Sequence, residues 1–231
     1  MSIKSYRIEE PAPQLDPTLL ARFAKVEAAT VGHYLHDRFM RSDIRPLIDG
    51  VRIAGTAQTI SIPGADSTLL YHAMDRVRPG DILVIDRAGD ERHAPWGGFM
   101  AAVAKVRGLA GVIIDGVITD PAAIIEAGVP TWARGVSPVT TKLLNMGGGY
   151  NIPISCGGVS INPGDAILAD DCGILVLPPD QVAGVTDVAL FDQQDEGSWI
   201  AAIRAGKKLQ DLVDIAGMIA ERQKKDENAH G

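Results

Sequence analysis

The sequence predicts a mixed α/β layered domain, and three observations support that prediction. Short apolar runs typical of buried strands alternate with segments of helical periodicity through the middle of the chain. Later, strands follow one another with glycine turns between them, which a strictly doubly wound sheet would not show. The chain has 25 glycines and 14 prolines among 231 residues, which indicates many tight turns between short elements.

A helix is the first predicted element. Residues 1–14 contain several prolines and predict a loose N-terminal arm. From Leu15 to about Leu35, apolar residues recur at helical spacing, and Asp16 followed by Pro17 is a typical N-cap and first-turn pair. We therefore expect a helix over 15–35.

The middle of the chain alternates strands with helices. The strands are short apolar runs or apolar–polar alternations, and the helices have small or apolar residues on one side. In chain order, the pattern predicts a strand over 52–62, a helix over 66–77, a strand over 82–85, a helix over 98–106, a strand over 111–114, a short helix over 121–127 and a strand over 129–133.

The last third of the chain has a different pattern. It predicts a long loop or hairpin over 135–150, strands with glycine turns over 152–177, helices over 180–222 and a charged, frayed tail over 222–231. Because no shift in composition marks a boundary, we expect a single domain over 1–231.

Composition and charge exclude several classes of protein. The chain has 22 Lys and Arg against 29 Asp and Glu, and a net charge of −7 argues against a nucleic-acid partner. No apolar run approaches the roughly 20 residues that span a bilayer, so we expect no membrane partner. Two cysteines, Cys156 and Cys172, fit a reducing cytoplasm better than a disulfide framework.

Glycines at the start of a predicted helix form the first candidate site. The segment Trp96-Gly97-Gly98-Phe99-Met100 joins a charged loop to that helix. Glycines there expose backbone N–H groups, and the positive end of the helix dipole favours an anion such as a carboxylate or phosphate. The alternative is a plain tight turn that lets the helix approach the sheet.

An acidic segment after a strand forms the second candidate site. Carboxylates at the carboxyl ends of strands commonly line α/β active sites, and Asp120 is a hard oxygen donor suited to Mg²⁺ or Mn²⁺. Alternatively, Asp120 followed by Pro121 is a standard N-cap with proline at the first helical position. His93, close to Gly97 in the chain, is a candidate proton carrier or a solvated loop residue.

Several short motifs follow one another in a fixed order, each with glycine or proline beside acidic or apolar residues. They are Pro79–Asp86, Trp96–Gly97, Arg107–Gly116, Ala133–Pro138, Cys156–Val159, Pro163–Asp165 and Ala169–Gly173. In this order and spacing, from about residue 15 to 213, the chain resembles the RraA-like family. That family holds the regulator of ribonuclease activity A and the class II 4-hydroxy-4-methyl-2-oxoglutarate aldolases.

The resemblance implies a fold, an assembly and a chemistry. The implied fold is a compact α/β/β/α layered domain of the swivelling phosphohistidine-domain type, assembled as a homotrimer or homohexamer. The implied chemistry is that of a divalent-metal-dependent lyase, in which a small 2-oxo acid chelates Mg²⁺ or Mn²⁺. The metal stabilises the enolate left by aldol cleavage or decarboxylation.

The resemblance also assigns roles to residues. Asp120 matches the metal-binding acid, and the substrate carboxylate is assigned to the loop residues Gly97, Gly98, Phe99 and Met100.

The sequence departs from the family pattern at two positions. Thr119 stands where the family has an arginine, and we assign it a catalytic role in holding a substrate oxygen. Gly98 stands where an acidic residue is usual. Arg87, Arg92 and Arg134 are the cations that could replace the missing arginine.

The departures leave two further functions open. A non-catalytic regulatory or binding protein of the ribonuclease-regulator type needs neither the arginine nor the acid. An oxo-acid hydratase or tautomerase would use the altered residues for a different reaction on the same fold.

Overall fold

The computed structural model describes residues 5–229, and the contacts within it divide the chain into two units. The first unit ends at Asp187 and the second begins at Val188. The single domain over 1–231 stays a prediction. Within the described residues, no helix is both long and apolar enough to cross a membrane.

The strands all lie in the first unit. In chain order they are β1 (Tyr6–Ile8), β2 (Arg45–Pro46), β3 (Ile53–Ser61), β4 (Asp81–Asp86), β5 (Gly111–Asp115), β6 (Val117–Ile118), β7 (Thr131–Ala133), β8 (Gly135–Val136), β9 (Gly148–Tyr150), β10 (Ile154–Cys156), β11 (Val159–Ile161), β12 (Ala166–Ala169) and β13 (Ile174–Leu177).

The helices are short except for two near the C-terminus. They are α1 (Pro17–Phe23), α2 (Ala28–Val31), α3 (Thr68–Met74), α4 (Gly98–Arg107), α5 (Pro121–Ala127), α6 (Val182–Arg204) and α7 (Ile215–Ala229). Single 3₁₀ turns form at Pro179–Gln181 and Leu209–Asp211.

One mixed sheet organises the first unit. Its strand order is β1-β9-β3-β4-β5-β7-β2, and β12 pairs with both β3 and β13. The strands β3, β4, β5 and β7 are parallel, whereas β9 and β12 pair with β3 in the antiparallel sense. The mixed α/β prediction is confirmed at this level.

Both faces of the sheet are buried. Successive side chains of a strand point to opposite faces, so Leu83 and Ile85 of β4 join one apolar cluster while Ile82 and Val84 join the other. The first cluster includes residues of α3, α4 and α5, and the second includes the β10–β11 hairpin. Burial on both faces explains why β4 and β5 appear in the sequence as continuous apolar runs rather than alternations.

The carboxyl ends of β4 and β5 meet at one edge of the sheet. These parallel strands are in register up to the pair Asp86 and Asp115, so the two following connections leave from neighbouring points. One connection leads into α4 and the other into α5, and an isolated bridge between Trp96 and Ile118 joins them. Both candidate segments of the sequence therefore lie at this edge.

The helix predicted over 15–35 is wrong in its extent. The Asp16 carboxylate caps α1 by accepting from the amide of Leu19 at 2.9 Å, as expected, but the helix ends at Phe23. A second helix begins at Ala28, whose amide donates to the buried carboxylate of Asp170 at 2.9 Å. A long-range partner thus takes the amide that a continuous helix would have used.

The N-terminal arm and the C-terminal tail are more ordered than predicted. Within the arm over 1–14, β1 pairs in parallel with β9, which itself lies in the predicted loop over 135–150. The predicted frayed tail over 222–231 is helical as far as Ala229, with an i,i+4 ion pair between Arg222 and Asp226. Residues 1–4 and 230–231 lie outside the described residues.

The buried carboxylate of Asp66 ties the loop around 140–147 to the start of α3. It accepts from the amides of Leu144 and Met146 at 2.9 and 2.7 Å and from both the amide and the hydroxyl of Thr68. Burial raises the pKa of Asp66, but these hydrogen bonds outweigh it and hold the pKa at about 2, against an ordinary value of 3.8.

We expect Asp66→Asn to lower the free energy of unfolding at pH 7 by about 1–3 kcal/mol, because an NH2 donor replaces one of the two acceptor oxygens and leaves at least one amide without its acceptor. Since the pKa of Asp66 is depressed in the folded protein, its contribution is present above about pH 4 and is lost as the pH falls toward 2. Denaturant unfolding at pH 7 and pH 3 measures both effects. The exposed residue Asp37 provides the control Asp37→Asn, and equal losses in the two variants would contradict this role.

Candidate functional site

Asp120 adopts a backbone conformation that is rare for a residue with a side chain. It lies between β6 and α5 with φ +51° and ψ +50°, in the left-handed region. Such a conformation costs roughly 1–2 kcal/mol for most residues and concentrates at functional sites. Pro121 occupies the first turn of α5 as predicted, but the Asp120 side chain makes no capping hydrogen bond to that helix. Asp120 is thus the N-cap residue of α5 by position, as the alternative predicted, but its carboxylate does not cap the helix.

The exposed carboxylate of Asp120 faces the start of α4. Its Oδ2 atom lies 3.4 Å from the backbone nitrogen of Gly98, and its Oδ1 atom lies 3.3 Å from the hydroxyl oxygen of Thr119. Both contacts are long, so the carboxylate keeps capacity to bind a further partner. The segment is held in place by the amide of Thr119, which donates to the carbonyl of Trp96 at 2.8 Å.

A glycine suits position 97 because Thr119 and Asp120 lie close to its Cα, and not because of its backbone dihedral angles. Its backbone is extended, a conformation open to any residue. A Cβ atom at Gly97 would lie 2.6 Å from the Thr119 Cγ2 atom and 2.8 Å from the Asp120 Oδ2 atom. The glycine thus serves to bring Asp120 against the start of α4, rather than to make a plain tight turn.

The N-terminus of α4 presents backbone donors beside Asp120. Its N-cap residue, Gly97, has no side chain to cap it, and its first intrahelical bond runs from the amide of Ala101 to the carbonyl of Gly97. The amides of Phe99 and Met100 precede that bond, and helix geometry gives them no intrahelical acceptor. The positive end of the helix dipole and these amides could hold a carboxylate.

An open cavity of about 230 Å³ lies at this place. One set of lining residues includes the predicted site: Trp96, Gly97, Phe99, Met100, Thr119 and Asp120. The other lining residues lie outside that site: Ala94 and Pro95 directly precede Trp96, and Ser67, Tyr71, Thr140 and Thr141 come from distant parts of the chain. Of the six predicted site residues, the cavity lining includes all but Gly98, whose amide contacts Asp120 instead.

Trp96 contributes a polar atom without a protein partner. The side chain is fully buried, and within residues 5–229 its indole nitrogen has no acceptor. Buried indole N–H groups usually find a partner, so Trp96 is an exception among the residues that line the cavity.

Arg87 supports the loop over 87–97 from beneath. Its fully buried guanidinium donates to the carbonyls of Ile62, Gly64 and His93. Burial lowers the pKa of Arg87, while the nearby carboxylate of Asp90 opposes that shift. Arg87 is thus a structural cation and does not line the cavity.

His93 is paired away from the cavity. Its Nδ1 atom lies 2.8 Å from Asp90 Oδ2, and its ring does not line the cavity. Burial raises the pKa of Asp90, but hydrogen bonds from His93 and the amide of Arg92 outweigh it and hold the pKa at about 2. The structure favours the loop role of His93 over that of a proton carrier.

Arg134 is likewise engaged elsewhere. It forms ion pairs with Asp115 and Asp43, and Asp115 also accepts from the amide of Gly157 at 2.8 Å. Asp115 therefore connects Arg134 to the turn between β10 and β11. None of the three candidate cations, Arg87, Arg92 and Arg134, lines the cavity in the described part of the chain.

Sequence reasoning missed the wall opposite Asp120. Tyr71 lies on α3, and Thr140 and Thr141 lie in the segment predicted as a long loop. Isolated bridges from Asp66 to Lys142 and from Ala94 to Thr140 bring that segment to the site. No local pattern in the sequence signals such long-range pairing.

Comparisons with known proteins agree on one family. The RraA-like family model, described as Aldolase/RraA, matches residues 26–176. The 4-hydroxy-4-methyl-2-oxoglutarate aldolase of Thermus thermophilus is 31% identical over 127 residues, 55% of this chain and 76% of that protein. A Halalkalibacterium halodurans protein, provisionally given the same name, is 37% identical over 157 residues, 68% of this chain and 74% of that protein.

A solved structure extends the match. RraAS2 of Streptomyces coelicolor, described as an unusual member of the RNase ES inhibitor RraA protein family, aligns with a TM-score of 0.74 and 30% identity. The alignment covers 81% of this chain and 98% of that one. The chain therefore belongs to the RraA-like family.

Proposed function

We propose that this protein is a divalent-metal-dependent lyase that cleaves or decarboxylates a small 2-oxo carboxylic acid through a pyruvate-like enolate. The observation that supports this most is the Asp120 carboxylate, which is held in a left-handed backbone conformation and faces the N-terminus of α4 instead of capping α5. The aldolase names of two relatives point to the same substrate class.

The donor set suits Mg²⁺ or Mn²⁺ held partly by substrate and water. Asp120 offers a carboxylate and Thr119 a hydroxyl, both hard oxygen donors. Across residues 5–229, no group of three or more His, Cys, Asp or Glu residues is placed to hold a metal ion. Mg²⁺ commonly binds through one or two carboxylates and keeps several waters, so one protein carboxylate is consistent with it. When bound, the ion would act as a Lewis acid on the oxo group of the substrate.

The chain's own residues position the substrate around that carboxylate. The open amides of Phe99 and Met100 at the start of α4 hold the substrate carboxylate, and the helix dipole favours its charge. The hydroxyl of Thr119 hydrogen-bonds a substrate oxygen beside Asp120. Gly97 keeps Thr119 and Asp120 close to the start of α4, because any side chain at position 97 would displace one of them.

The departures from the family pattern support a second candidate, a regulatory protein of the ribonuclease-regulator type. Thr119 cannot supply the charge of the missing arginine, and no other cation lines the cavity within the described chain. The description of RraAS2 names a ribonuclease inhibitor family. Formation of an enolate by this protein, despite the missing arginine, would favour the lyase, because a regulatory protein does not need to form one.

Three further expectations stay predictions, two from the resemblance and one, the location, from the two cysteines. They are the homotrimer or homohexamer, the cytoplasmic location and the swivelling phosphohistidine-domain type of the α/β/β/α fold.

We expect Mg²⁺-dependent exchange of the C3 protons of pyruvate for deuterium, followed by NMR, and its loss on adding a chelator. Asp120→Asn should lower this exchange at least about 100-fold, because the carboxylate that holds the ion is lost. Asparagine tolerates the left-handed conformation, so the fold is preserved. Glu126→Gln on the exposed side of α5 is the matched control. Exchange that survives the chelator or the Asp120 substitution would overturn the proposal, and absence of any exchange would favour the regulatory candidate.

The glycine at position 98 is a packing requirement that can be tested separately. A Cβ atom there would lie 2.6 Å from the Cβ of Ala123 on α5, so an acidic side chain does not fit without movement of that helix. We expect Gly98→Ala to lower the free energy of unfolding by about 1–3 kcal/mol. Ala123→Gly alone should cost about 1 kcal/mol of helix propensity.

The double variant should lose less unfolding free energy than the two single variants lose together, because removing the Ala123 methyl makes room for the methyl at position 98. Denaturant unfolding of the four proteins measures the coupling. Strictly additive losses would show that Gly98 and Ala123 do not limit each other.

A further inference from the structure

The cavity has an aromatic side as well as a polar one. Tyr71 on α3 and Phe99 on α4 both line it, and their ring centroids lie 6.3 Å apart at an interplanar angle of 30°. Tyr71 is 45% exposed and Phe99 is 67% exposed. Two large aromatic rings left open to solvent at the rim of a cavity form a surface that an apolar or aromatic group of a ligand can cover.

The charge of the cavity restricts the ligand further. Among the cavity-lining residues of the described chain, Asp120 is the sole charged one, and it is acidic. One substrate carboxylate finds the amides at the start of α4, but a second carboxylate would meet no lining cation. At the open rim that second carboxylate would stay hydrated and gain no partner, whereas an apolar group there would cover the two exposed rings, so the lining favours the apolar group.

We propose that the substrate is a 2-oxo monocarboxylic acid with an aromatic or bulky apolar group at C4, which Tyr71 and Phe99 select. The inference rests on the proposed lyase function and deepens it. In a 4-hydroxy-2-oxo acid of this kind, the C3–C4 bond breaks and the C4 hydroxyl loses its proton as C4 becomes an aldehyde. The bonding pair stays on C3 as the enolate, which takes up a proton to give pyruvate. One substrate yields one aromatic aldehyde and one pyruvate, with no net oxidation.

Phe99 contacts the substrate through both its backbone amide and its ring. The backbone amide of Phe99 belongs to the open turn that holds the carboxylate, while its ring stands on the aromatic side with Tyr71. The C4 substituent is thereby placed against the two rings. Tyr71 and Phe99 are specificity-determining residues in this arrangement.

Two matched substrates test the inference. 4-Hydroxy-2-oxo-4-phenylbutanoate and 4-hydroxy-2-oxoglutarate differ only in the phenyl or carboxylate group at C4, and pyruvate release reports cleavage of either. We expect the wild-type protein to have the higher kcat/KM for the phenyl compound. Phe99→Leu should lower the ratio of the two kcat/KM values about three- to tenfold, since leucine keeps apolar volume but loses aromatic contact. A loss common to both substrates cancels in this ratio.

Adding a cation should reverse the preference. Tyr71→Arg supplies a partner for the second carboxylate, so we expect it to raise kcat/KM for 4-hydroxy-2-oxoglutarate relative to the phenyl compound. Phe191→Leu, an exposed aromatic of the C-terminal unit, is the control and should leave the ratio unchanged.

Binding separates this inference from the proposed reaction. Calorimetry in Mg²⁺ with the uncleavable pair 2-oxo-4-phenylbutanoate and 2-oxoglutarate should show tighter binding of the phenyl compound, weakened by Phe99→Leu.

If pyruvate exchange occurs but the diacid is preferred in cleavage and binding, the substrate class is wrong and the lyase proposal stands. If exchange and cleavage are absent while the phenyl compound still binds more tightly, the lyase proposal fails and the preference for an aromatic oxo acid stands. A preference that both Phe99→Leu and Tyr71→Arg leave unchanged overturns the role of the two rings.

Discussion

The close approach of Gly97 to Thr119 and Asp120 joins the two connections that leave the parallel strands β4 and β5. Because β4 and β5 end in register, their connections start side by side, and the missing side chain of Gly97 leaves room for Thr119 and Asp120 in their present positions. That contact places an exposed carboxylate beside the free amides of a helix N-terminus. A group that attracts cations and one that attracts carboxylates are thus held within a few ångströms, which suits a metal-chelating oxo acid.

Buried charges hold the rest of the cavity around this contact. Arg87 fixes three carbonyls beneath the loop that ends at Gly97, and Asp66 gathers the amides of the segment that supplies the far wall. Neither side chain reaches the cavity, so each acts on the site through the loops that it holds. Loops with buried ionic anchors can keep a precise position without secondary structure of their own.

Local patterns predicted the elements that local forces determine. The apolar runs of β4 and β5 follow from burial, and the helices α4 and α5 end at the left-handed glycines Gly108 and Gly128. The segments of Gly97 and Asp120 were found by their positions after strands and before helices. The extent of the first helix could not be predicted, because Asp170, far along the chain, takes the amide of Ala28. The aromatic wall formed by Tyr71 depends on the packing of α3 beside α4, which no spacing in the sequence reveals. The left-handed backbone of Asp120 could not be predicted either, because the dipeptide Asp120-Pro121 is typical of an ordinary helix N-cap.

The central claim is that Asp120 holds a divalent ion against an enolate-like ligand, and binding of oxalate tests it most directly. Oxalate is a planar dianion that resembles the enolate of pyruvate, and such analogues bind where the reaction's charge develops. Calorimetry should detect oxalate binding in the presence of Mg²⁺, and none after a chelator is added or in Asp120→Asn. Oxalate that binds equally well without the metal ion, or to Asp120→Asn, would contradict the account.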